Sequence, residues 1–80
     1  MNHSEIIAAA MAEAHRQGFD LGAVHAVPER GAAITLCFTG GFHPWAVHRF
    51  STASGGLDTG GYHFTREAAL AEFNRRLPIF

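Results

Sequence analysis

The chain has no lysine, one cysteine, one tryptophan, one tyrosine and three prolines in 80 residues. Each shortage excludes something. With Cys37 alone, no intramolecular disulfide and no paired-cysteine zinc site can form. A reducing cytoplasm is the expected compartment. The longest apolar run, Ile6 to Ala12, is far short of the roughly 20 residues that span a bilayer. Asn2-His3-Ser4-Glu5 lacks the basic region that opens a secretory signal. The net charge of −1, with histidines neutral, argues against direct nucleic-acid binding, because affinity for phosphate backbones takes several uncompensated cations.

What is present is enough for one small α+β domain over residues 1–80. A chain this short buries only about 60 % of its surface, so every element must contribute to one core. Residues 3–17 predict a helix. Asn2 with Glu5 forms a capping box, and Gly18 ends the helix. Ile7, Ala10, Met11 and Ala14 give it an inward stripe, with Glu5, Ala9, Glu13 and Arg16 outward. Val24–Val27 and Ala33–Thr39 predict a hairpin around the Pro28-Glu29-Arg30-Gly31 turn. Ile34, Leu36 and Phe38 alternate with Thr35, Cys37 and Thr39. A third strand runs from Trp45 to Ser51. A fourth, incomplete one starts near Leu57 and ends in Gly61-Tyr62-His63-Phe64. Thr65 caps a last helix over 66–77, whose stripe is Ala69, Leu70, Phe73 and Leu77, and Phe64 before it is expected in the core, pinning the helix to the sheet. Pro78 stops it, and Ile79 and Phe80 are expected to dock back. The expected architecture is an antiparallel three- to four-stranded sheet with both helices packed on one face.

Catalytic chemistry is not legible. The seven acids are scattered, and Cys37 has no cation or base beside it in sequence. The glycine pairs at 40–41, 55–56 and 60–61 are followed by no phosphate-loop residues and read as turns. Six histidines invite a metal reading. His43 and His48 are five apart, which on a strand sends them to opposite faces. His25, His48 and His63 are the one set that could meet across strands. The expectation is no enzyme, no cofactor and no metal.

Trp45, Arg49, Tyr62, His63 and Arg66 form a separate group. They read either as a contact face, since Trp, Tyr and Arg are enriched at hot spots, or, for Trp45, as a core filler. The four acids Glu5, Glu13, Asp20 and Glu29 offer a second contact set. With two arginines they give residues 1–31 a charge of −2, a thin imitation of phosphate against a basic partner.

Two stretches carry resemblances. "FHPWAVHRF" and "GGYHFTREAALAEF" resemble the second strand and the strand-to-helix junction of the double-stranded RNA-binding domain. Thr65-Arg66-Glu67 stands where that family opens its last helix with a lysine pair, and the resemblance implies, as the alternative function, a nucleic-acid-binding module. "WAVHRFSTASGGLDTGGYHFTREAALAEFNRR", residues 45–76, is similar to small phage and mobile-element proteins, among them anti-CRISPRs. Arginine without lysine, with abundant alanine and glycine, reads as GC-rich coding and suits such a source. That second resemblance implies a monomeric, non-enzymatic inhibitor. Its partner would be subunits of a type I CRISPR surveillance complex (Cascade) in a bacterial host, with subtype I-C as the narrower expectation. Target DNA would be excluded by steric competition.

Overall fold

The computed structural model describes residues 2–77. The order is helix α1 (His3–Arg16), strand β1 (Asp20–Val27), a 3-10 turn (Pro28–Arg30), β2 (Ala32–Phe38), β3 (Trp45–Ser51), β4 (Gly56–His63) and helix α2 (Arg66–Arg76). The strands form one antiparallel sheet in the order β1-β2-β3-β4. This is the expected α+β class with four strands. No helix among the described residues is long and apolar enough to cross a membrane. The expected stop at Pro78 and the docking of Ile79 and Phe80 lie outside the described residues.

Local chemistry explains the helix ends. Asn2 accepts from the Glu5 amide while Glu5 accepts from the Asn2 amide, closing the capping box. At the other end Gly18 has φ +81°. The Phe19 amide donates to the Ala14 carbonyl and the Gly18 amide to that of His15, a Schellman closure. Thr65 caps α2 by accepting from the Ala68 amide. Gly31, at φ +60°, turns the chain out of the 3-10 segment into β2.

The layering differs from the expected one. The two helices lie on opposite faces of the sheet. Ala33 and Phe50 pack under Ile6 and Ala10 of α1. Ile34, Leu36 and Val47 pack under Ala69 and Phe73 of α2. Neighbouring residues of β2 therefore serve different helices, as the period of two requires. The physical reason is β2 itself. Ala32 to Cys37 are buried without interruption, so both faces of this strand need cover. The α1 side joins the small Ala10, Ala26 and Ala33 to the larger Ile6 and Phe50. The α2 side carries the bulkier side chains, each contributing roughly 1.5–3 kcal/mol by burial.

The inward face of α1 is also rotated from the expected one. Ile6, Ala10, Glu13 and Ala14 are buried, whereas Met11 is exposed. β1 starts at Asp20, earlier than the apolar run predicts, with an irregularity at Gly22.

Candidate functional site

Aromatic rings gather at one end of the sheet. There β2 ends in Phe38, β3 begins at Trp45 and β4 ends at His63. The register runs Asp20, Phe38, Trp45, His63 across all four strands. Between β2 and β3 the chain makes a compact loop. Gly40 has φ +73°. The Thr39 hydroxyl donates to the His43 carbonyl at 3.1 Å, and the Thr39 amide to that of Pro44 at 2.6 Å. The loop presents Phe42 outward, 83 % exposed, against Phe64, 63 % exposed. Their rings meet edge to face at 5.6 Å, and His43 lies 4.4 Å from Phe64. Phe38 meets Trp45 edge to face at 5.1 Å.

Inward of this end lies Gly60-Gly61, which is strand and not turn. Two β4 residues oppose His48 at a bulge between the Val47–Gly61 and Arg49–Asp58 pairs. The two missing side chains leave room on both faces. A Cβ on Gly60 would sit 2.8 Å from the His48 ring; one on Gly61 would run into the Glu72 carboxylate. Each glycine is thus the floor under a polar side chain from another element.

On the α1 face, His48 is 4 % exposed. Its Nε2 lies 3.2 Å from the Tyr62 hydroxyl. Phe19 stacks over the ring at 6.2 Å, and Tyr62 meets it edge-on at 5.5 Å. Nδ1 is buried without a hydrogen-bond partner among the described residues. Burial, aided by the Arg76 charge, holds His48 below the ordinary imidazole value. On the α2 face, Glu72 is 8 % exposed. It takes His63 Nε2 at 2.5 Å on one oxygen, and Arg76 Nη2 and Nε at 2.6 and 2.8 Å on the other. Burial works against the carboxylate, but these donors outweigh it and keep Glu72 below the usual range.

The residues singled out in the sequence fall in several places. Trp45 is half-buried against the α2 cluster. With both helices expected on one face, the other would have been open for Trp45 and Arg49; instead α2 covers the face they share. Arg49 is half-buried opposite Ile34 and Asp58. Tyr62 is 56 % exposed, and Arg66 is exposed at the start of α2. The four acids do not form one surface. Glu5 closes the cap. Glu13 turns inward and binds Arg16 and Gln17, which hold it down to about 2. Asp20 opens β1, while Glu29 sits in the turn beyond the other end of that strand.

His25, His48 and His63 do not converge. His25 pairs with Ile34 and His63 with Trp45, on the α2 face; His48 pairs with Thr35 on the other. No group of three metal-ligating side chains comes together among the described residues. Cys37 is buried, which pushes its thiol up, with a smaller opposing contribution from Thr35.

Sequence reasoning missed Phe42 and His43, and assigned Phe64 to the core. The available signal was a ring directly after Gly40-Gly41, outside any apolar periodicity. It also missed Glu72 as a buried ion. Comparison with known proteins gives no matching family model, no matching curated protein and no matching solved structure.

Proposed function

We propose that this chain is a non-enzymatic binding protein that acts by occupying a protein surface, with the aromatic end as its contact. One observation carries the reading. Phe42 and Phe64 are largely exposed yet packed on each other and on His43, at the end of the sheet where β2 ends in the exposed Phe38. Aromatic anchors of this kind supply most of the binding energy at interfaces. Residues 38–48 contain no charged side chain apart from the histidines, so the patch suits an apolar protein pocket and not a phosphate backbone. In its narrowest form, resting on the resemblance of residues 45–76, the partner is a type I surveillance complex in a bacterial cytoplasm. The inhibitor then blocks target DNA by competition. The nucleic-acid reading has no comparable observation: α2 opens with one cation, Arg66, followed by Glu67.

The test is a tagged pull-down from lysate of a CRISPR-bearing bacterium, with and without nuclease, using the parent chain and Phe42→Ser/Phe64→Ser. A stoichiometric, nuclease-resistant catch of surveillance-complex subunits that the double variant loses is expected. A catch that disappears with nuclease, or survives the double substitution, overturns the contact assignment. The exposed positions predict a change in stability within about 0.5 kcal/mol, so lost binding is not lost folding.

A further inference from the structure

His48 is a buried titratable group that the proposed contact does not use. It sits in the middle of β3, facing the bulge of β4. Three features fix its ring: Gly60 leaves the space, Phe19 covers one side, and the Tyr62 hydroxyl meets Nε2. Because Nδ1 has no partner among the described residues, the neutral ring is assigned the tautomer with its proton on Nε2, donating to the Tyr62 oxygen, and a bare Nδ1 lone pair. A second proton changes that balance. Nδ1–H then needs an acceptor, and none of the described side chains supplies one. An unsatisfied buried donor carrying charge is far costlier than a bare lone pair.

We propose that His48 is a proton-operated latch: the neutral ring holds Tyr62 and Phe19 over the β3–β4 strands, and taking up a proton releases them. Phe19 and Tyr62 are the parts able to move. Phe19 follows the α1 closure, and Tyr62 already has most of its ring in solvent. On the far side the His63–Glu72 pair ties β4 to α2.

The groups around His48 act in both directions. Arg76 from α2 opposes the proton; Glu72 from α2 and Asp58 from β4 favour it. From β2, Thr35 spends its hydroxyl on the His48 carbonyl at 3.3 Å. On α1, Glu13 is committed to Arg16 and Gln17. Burial outweighs the two carboxylates, so the open form binds the proton more tightly than the closed one. The opening constant then rises as pH falls below about 6.5, by up to about tenfold per pH unit, until the closed-state midpoint is reached. The inference stands independently of the proposed partner.

The chain has one tyrosine, so the reporter is built in. The experiment follows the His48 and Tyr62 ring resonances of the intact chain by NMR from pH 8 to 4.5. Amide exchange and far-UV circular dichroism are recorded alongside. Expected are a His48 midpoint below 6.5 and a Tyr62 shift with the same midpoint. The released population read from Tyr62 should grow with the stated slope while β3 and β4 amide protection and secondary structure are unchanged. His48→Gln should make Tyr62 insensitive to pH. If that variant does not fold, Phe19→Leu serves, since opening one side of the ring should move the His48 midpoint up towards 6.5. Three results overturn the latch: a His48 midpoint at or above 6.5, a Tyr62 signal unmoved through the His48 titration, or a Tyr62 change coincident with loss of secondary structure.

Discussion

The two faces of Gly60-Gly61 solve the same problem with different chemistry. On the α1 face the gap takes His48, uncharged and held by two rings and one hydroxyl. On the α2 face it takes Glu72, charged and held by His63 and Arg76. A buried neutral ring needs few partners, but any change of charge is destabilising. A buried carboxylate persists only when its oxygens are filled, and here both oxygens are. One strand therefore carries a proton-sensitive contact on one side and a charge-neutralised contact on the other. The two-residue absence of side chains makes both possible.

The sharpest way to break this comparison is to restore the side chains. Gly60→Ala and Gly61→Ala should each destabilise by about 1–3 kcal/mol, because the new methyl meets a packed group. Their couplings should differ. Removing Glu72 as well should recover part of the Gly61→Ala loss and little of the Gly60→Ala loss, measured by denaturant unfolding in a double-mutant cycle. Equal recovery for both would mean that the strand shifts as a unit and that the two faces are not separate sites.

The element order was legible because it rests on short-range chemistry. Asn2 with Glu5, Gly18, Gly31 and Thr65 each do locally what the sequence implies. The layering was not legible. Alternation in β2 shows that Ile34 and Ala33 point apart, but not that Ala33 is buried as completely as Ile34. That depends on α1 being lined with alanine, and only the assembled sheet shows where α1 lies. Gly60-Gly61 reads as a turn by composition, since glycine pairs usually are turns. Its role is set by His48, 12 residues earlier, and Glu72, 11 residues later, contacts that no local pattern encodes. Phe64 read as core because it precedes a capped helix, yet Phe42 meets it outside the sheet.

Acid stability should separate the faces along the pH axis. His48 is depressed in the folded chain, so the unfolded chain binds the extra proton. Its contribution is complete above pH 6.5 and is lost as pH falls from there towards the folded value. Glu72 is also depressed, but as a carboxyl. Its contribution is complete above about 4.5 and is lost as pH falls below that. Glu13 follows the same sign over the range from 4.5 to about 2. Urea midpoints against pH should therefore fall in two stages. Glu72→Gln should lower stability at neutral pH by about 1–2 kcal/mol and flatten the lower stage only. If it flattens the upper stage as well, His48 and Glu72 titrate as one unit through the glycine pair.

Tyr62→Phe is the smallest of these perturbations and the most selective. It removes one hydroxyl from a ring that is already more than half in solvent. The cost should be about 0.5–1 kcal/mol at pH 7.5, the value of one neutral hydrogen bond. The loss belongs entirely to the α1 face, so the lower acid stage carried by Glu72 should keep its position. The upper stage should change, because Nε2 now lacks a partner in either charge state. Comparing urea midpoints of the parent chain and Tyr62→Phe at pH 7.5, 6 and 4 separates these outcomes. A loss that is the same at all three values would make Tyr62 a plain packing residue. A loss that varies across the His48 range alone would tie the exposed ring at the aromatic end to the buried imidazole beneath it.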